Sequence, residues 1–275
     1  MSPTEWFWTE SIGKNALRAV FFDPRTRERT EYVFEDAKLE RVSRLEHAVL
    51  PGKFGVMSTV LLSRQGQTTT GFFVIERKTG EFRFVDTGNY FLRSPKISSK
   101  GLIWTVGSEH EPGLDGKPKE MASFNVVRIY DASGKLVGSA APKEELNVTS
   151  MGRLLNPART FLGGGSYLFY LRESNEILRV DESTMKFDRI PGPPVNVAIN
   201  SASVTTCDGR VIYFAGTGKQ TGALMYVRTE TGTWMKHRYQ QFGKVKEFWA
   251  PTIFYCSAEG VPVAAISYNE LSEVR

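Results

Sequence analysis

Three residues in this chain could exchange protons with a bound molecule: the carboxylates Glu46 and Glu247 and the imidazole of His47. Two carboxylates flanking one bond are the apparatus of glycoside hydrolysis, and a histidine beside them could act as base. Arg93 and Arg159 add cations, Asn156 and Asn200 add amides, and Trp249 adds an aromatic face. A cup with an aromatic face, amides, a cation and a carboxylate suits a sugar or another polar small molecule. The opposing expectation is that these are ordinary loop and strand-start residues, with His47 satisfied by a neighbouring carbonyl.

They are grouped because each stands at or near the entry of one of five similar segments: AVLPGKFGVMSTVLLS at 48–63, LRSPKISSKGLIWTVG at 92–107, PARTFLGGGSYLFYL at 157–171, SASVTTCDGRVIYFAG at 201–216 and PTIFYCSAEGVPVAAIS at 251–267. Each begins with small residues or proline, crosses a glycine turn and runs into a nearly continuous apolar strand, the pattern of a strand buried on both faces. Aligned, they place Glu46-His47, Leu92-Arg93, Asn156-Pro157, Asn200-Ser201 and Trp249-Ala250 at equivalent positions, with Arg44, Arg159 and Glu247 nearby.

Between these segments lies a second repeated unit, a hairpin of alternating polar and apolar residues. It reads VFFDPRTRERTEYVF at 20–34, VIERKTGEFRFV at 74–85, VVRIYDASGKLVGS at 126–139, ILRVDESTMKFDRI at 177–190 and LMYVRTETGTWMKH at 224–237. With Thr26, Gly80, Gly134, Thr184 and Gly232 as turn markers, the spacings are 54, 54, 50 and 48 residues. Such a period predicts four strands per unit and a repeat architecture.

The hairpins and apolar segments together resemble the β-propeller superfamily, in the manner of YVTN, NHL or quinoprotein-type blades, over nearly all of residues 16–268. No WD40 or kelch motif is present, so no specific family follows. The resemblance implies an all-β propeller of five four-stranded blades, with six as the alternative, in a single domain over 1–275. The expected blades are 46–88, 89–140, 154–192, 196–240, and 247–275 joined to 16–35, so that the N-terminal hairpin pairs with the C-terminal strands and closes the ring. A short helical turn is expected within 36–46, and Trp6–Thr9 is the segment that leaves six blades open. Five-bladed propellers similar in layout include glycosidases, but those carry inward aspartates at the starts of inner strands, and none of the five segments here begins so.

Composition narrows the classes further. The 275 residues are 41% hydrophobic, enough for a dry core, and 35 Lys and Arg face 30 Asp and Glu without forming a basic run. RTRER at 25–29 reads as a solvated turn, so no nucleic-acid partner is expected. Cys207 and Cys256 are expected as buried free thiols, with a bridge between them as the alternative. GTGKQTG at 216–222 has the wrong spacing for a phosphate loop. Glu109-His110-Glu111 reads as part of a flexible solvated loop and not as a metal site. No metal or other cofactor is expected. No apolar run of about 18 residues marks a membrane span. The chain is expected to be a monomer, cytoplasmic if Met1 is native and secreted if a signal peptide was trimmed. These observations favour a binding protein for a carbohydrate, a small metabolite or a protein partner. The rival reading is a glycosidase, lyase or cyclase-type enzyme using the same mouth.

Overall fold

The computed structural model describes residues 5–115, 117–146, 158–159, 161–195, 201–216, 223–238, 253–256 and 262–266. The chain is all-β, and it divides into two compact units, Ser2–Leu146 and Asn147–Arg275. Among the described residues the helical content is one 3-10 turn, Lys143–Glu145, and no helix is long and apolar enough to cross a membrane.

Among the described residues, the Ser2–Leu146 unit holds three antiparallel sheets. The first is β1 (Trp6–Ser11), β2 (Ala16–Phe22) and β3 (Arg29–Glu35), in that order. The second is β4 (Leu39–Leu50), β5 (Phe54–Ser63), β6 (Thr68–Glu76) and β7 (Phe82–Asp86). The third is β8 (Tyr90–Ile97), β9 (Ile103–Pro112), β11 (Asn125–Tyr130) and β12 (Leu136–Pro142), with the short β10 (Pro118–Glu120) on the end of β9.

Strand β6 shows why the sheets stack. Its side chains alternate between faces, yet both faces are apolar. Phe73 and Ile75 join Phe7, Leu17, Phe21 and Met57 in one buried cluster, while Phe72 and Val74 join Phe54, Val56, Tyr90 and Ile103 in another. The second sheet is thus packed on both sides, as the continuous apolar runs predict.

In the Asn147–Arg275 unit, β13 (Ala158–Arg159) runs parallel to β18 (Ser201–Cys207), which continues into β19 (Arg210–Gly216), β20 (Ala223–Arg228) and β21 (Trp234–Arg238). A four-stranded sheet comprises β14 (Phe161–Gly163), β15 (Ser166–Leu171), β16 (Glu176–Asp181) and β17 (Phe187–Pro191). The last pair is β22 (Ile253–Cys256) and β23 (Pro262–Ile266). Leu168, Tyr170, Ile177, Val204 and Tyr213 form its main buried cluster. Cys207 is buried and disulfide-bonded, which corrects the expectation of a free thiol.

All five hairpin turns marked in the sequence are observed, between β2 and β3, β6 and β7, β11 and β12, β16 and β17, and β20 and β21. Each contains one left-handed residue: Arg27, Gly80, Gly134, Met185 and Gly232. At Gly80 the requirement is double, because φ is +74° and a Cβ there would lie 2.1 Å from the ring of Tyr32 on the first sheet. Three turns are closed from inside by an aspartate: Asp23, Asp131 and Asp181 each accept backbone N–H groups two to four residues on.

Asp23 carries a pH consequence. A hydrogen bond from the Arg25 side chain, followed by one from the Arg25 N–H, lowers its pKa from 3.8 to about 2. A depressed carboxylate stabilises the turn above its ordinary pKa, and that contribution disappears as pH falls from about 4 through about 2. Titration of the Asp23 carboxyl carbon by NMR is expected to give a midpoint near 2, rising toward the ordinary value in Arg25→Ala. A wild-type midpoint near 4 would contradict the geometry.

One expectation at the N-terminal end differs from the structure. The segment expected to hold a helical turn is a single hydrogen-bonded turn, closed by the Leu39 N–H on the Asp36 carbonyl, followed by β4, a 12-residue strand that starts at Leu39. Trp6–Thr9 lies in β1 and pairs with β2, so the N-terminal hairpin is the outer part of a three-stranded sheet.

Candidate ligand site at the bulged inner strands

The first strands of the second and third sheets each carry a bulge, and the two bulges meet. On β4, Arg44 pairs with Thr59 and His47 with Met57, leaving Leu45 and Glu46 opposite Ser58. On β8, Arg93 pairs with Val106 and Lys96 with Trp104, leaving Ser94 and Pro95 opposite Thr105. Pro95 has no N–H for the ladder, which explains the second bulge from sequence. The first is filled by the Ser58 hydroxyl, which accepts the Glu46 N–H at 3.0 Å and donates to the Glu46 carbonyl at 3.1 Å.

Between the bulges, the Glu46 carboxylate accepts the N–H of Ser94 through Oε2. Ser94 is buried and sits at φ +48°, a left-handed conformation that costs a non-glycine residue about 1 kcal/mol or more. A charge-assisted hydrogen bond offsets that cost and ties β4 to β8. The Arg93 guanidinium, one residue before, lies 5.1 Å from the centre of the Phe91 ring and is half-buried. On the far side of Thr105, the hydroxyl donates to the Arg128 carbonyl at 2.9 Å, so the hydroxyls facing both bulges are occupied by backbone.

The structure therefore brings Glu46 and Arg93 to one junction. His47 takes another direction, with its ring edge-on to Phe7 of β1 at 5.8 Å, toward the first sheet. Observed register also revises the alignment of the inner strands. Arg44 and Arg93 hold the same position before their bulges, 49 residues apart, whereas the sequence alignment sets Glu46 against Leu92, 46 apart. The three-residue offset arises because Glu46 lies deep in β4 and not at its start. Arg159 lies in the backbone of β13. Asn156, Asn200, Glu247 and Trp249 lie outside the described residues, as does 217–222 of the GTGKQTG segment.

Glu109-His110-Glu111 is also placed differently from expectation. It belongs to β9, which runs on to Pro112 and pairs with β10. Glu109 makes an ion pair with Arg128 at 2.5 Å, the Arg128 guanidinium lies 4.2 Å from the Tyr90 ring centre, and His110 Nε2 is 2.8 Å from the Ser108 hydroxyl. The segment is a strand held by side chains. Among the described residues no group of three potential ligands is arranged to hold a metal ion.

Sequence reasoning missed Ser58, Ser94 and Thr105; the Ser-Pro step inside an extended apolar run was the available signal for one bulge. It also missed a cavity of about 390 Å³ where β4 begins, lined by Lys14, Asn15, Leu39, Glu40 and Arg64.

No protein-family description matches the sequence, and no curated protein matches it. Among solved structures, the chain is similar to a protein of unknown function from Bacteroides thetaiotaomicron VPI-5482, at 11% identity and TM-score 0.39, over 82% of this chain and 56% of that one. It is similar to a putative 6-phosphogluconolactonase from Bacteroides fragilis NCTC 9343, at 12% identity and TM-score 0.40, over 93% and 85% of the two chains. A nidogen/laminin complex gives 9% identity and TM-score 0.34, over 84% and 91%. These likenesses carry no argument about activity.

Proposed function

We propose that the chain is a five-bladed propeller acting as a binding module. Its ligand, a carbohydrate or other polar small metabolite, is held where the inner strands converge. The five turn positions at a near-constant period and the four-stranded sheets support the architecture. The observation that carries the site is the junction of the two bulges, where the Glu46 carboxylate of β4 accepts the Ser94 N–H of β8, next in sequence to Arg93. Bulges commonly re-aim side chains beside functional sites. In this reading Arg93 contacts the ligand and Glu46 fixes the junction.

Engagement of Glu46 by the Ser94 N–H favours a positioning role for it over proton transfer, so the binding reading is preferred to a glycosidase built on Glu46 and Glu247. The disulfide at Cys207 supports an oxidising compartment, and hence secretion over a cytoplasmic location.

The test is a glycan array and a thermal-shift screen of polar metabolites on the full chain. A bound ligand is expected to raise Tm by several degrees at saturating concentration, and Arg93→Ala is expected to remove the shift while leaving the unliganded Tm close to wild type. A flat result in both screens sinks the small-molecule reading and leaves a protein partner as the ligand.

A further inference from the structure

The cavity at the start of β4 is assembled from three separate segments. Lys14 and Asn15 come from the turn between β1 and β2, Leu39 and Glu40 open β4, and Arg64 lies in the turn between β5 and β6. Hydrogen bonds hold the three together. The Val42 N–H donates to the Lys14 carbonyl at 2.8 Å, the Asn15 side chain donates to the Asp36 carbonyl at 3.0 Å, and the Arg64 N–H donates to the Lys38 carbonyl at 3.1 Å. The walls are therefore fixed before anything binds, which lowers the entropic cost of binding.

Lys14, Glu40 and Arg64 are exposed. Unlike Arg77 or Arg128, the two cations are not neutralised by an ion pair among the described residues. Two cations against one carboxylate leave the cavity a net positive charge. The Arg64 guanidinium offers the forked donor geometry that suits a carboxylate or phosphate. Glu40 can accept from hydroxyl groups, and Leu39 gives an apolar patch for ring carbons. A volume of about 390 Å³ fits a small molecule.

We propose that this cavity binds a small hydroxylated anion, with the oxyanion between Lys14 and Arg64 and a hydroxyl on Glu40. A sugar acid and a sugar phosphate share that chemistry. Leu39 precedes Glu46 by seven residues on the same strand, about 20 Å at the rise of a β-strand, so the cavity is separate from the bulge junction and does not depend on the ligand proposed for it.

Calorimetry on the full chain tests this with four probes: glucuronate, glucose 6-phosphate, glucose and inorganic phosphate. At least one anionic sugar is expected to bind about tenfold more tightly than glucose or phosphate, and more weakly at high salt. Which of the two binds better distinguishes a carboxylate ligand from a phosphate. Arg64→Gln and Lys14→Gln are each expected to cost about tenfold in affinity without moving the urea midpoint, and Arg93→Ala is expected to leave this binding unchanged. Equal binding of glucose or of inorganic phosphate overturns the proposal. So does the absence of binding by either anionic sugar, or wild-type affinity in Arg64→Gln.

Discussion

Glu5→Ala is expected to destabilise the Ser2–Leu146 unit by about 2–4 kcal/mol. Glu5 is 6% exposed, and both carboxylate oxygens are occupied: Oε1 accepts from Arg77 Nε at 2.7 Å and Oε2 from the Gly52 N–H at 2.9 Å. Arg77 is itself committed, lying 5.2 Å from the centre of the Phe21 ring, with its carbonyl accepting the Tyr32 hydroxyl at 2.8 Å. Removing the carboxylate leaves a largely buried guanidinium without its counter-charge and a turn N–H without its acceptor. The range is set below that of a fully buried pair because the Arg77 side chain keeps 20% of its exposure. Urea unfolding of Glu5→Ala, Arg77→Ala and the double variant measures the coupling directly. A coupling above about 1 kcal/mol is expected; a value near zero would make the pair an ordinary surface contact.

Phe73→Ala is expected to cost about 3–5 kcal/mol, as large as any single core truncation here. Phe73 is 1% exposed and its ring packs against Phe34 of the first sheet at 4.7 Å and Phe84 at 5.3 Å. Truncation opens a cavity in the seam between the first and second sheets, a region built from aromatic rings that cannot collapse into it. Phe73→Leu keeps most of the volume and is expected to cost less than about 1.5 kcal/mol. Equal losses for the two variants would mean that ring geometry rather than volume is being read.

The contrast between these two residues shows what the sequence could convey. Phe73 directly precedes the hairpin read at 74–85, whose Thr-Gly step marks the turn, and its own apolar type is a local signal of burial. Glu5 gave none, because its partner is 72 positions away and nothing in its neighbours distinguishes it from a solvated N-terminal residue. The candidate site divides the same way. Glu46 and Arg93 were recognisable by type, but their register was not, since each bulge breaks the two-residue count on which strand alignment rests. Lys14, Asn15 and Arg64 were invisible as a group because they lie in two turns, far apart in sequence, that come together only through hydrogen bonds to the segment opening β4.

The Glu5–Arg77 contact also sets a timescale. Each hairpin turn closes over four or five residues, whereas this pair must close 72, so loop entropy places the hairpins early in folding and the carboxylate–guanidinium contact late. An interaction absent from the transition state governs escape from the native state and not arrival. Stopped-flow measurements on Glu5→Ala should then show a refolding rate close to wild type and an unfolding rate raised by about the full loss in stability, making Glu5 a determinant of how long the folded unit lasts.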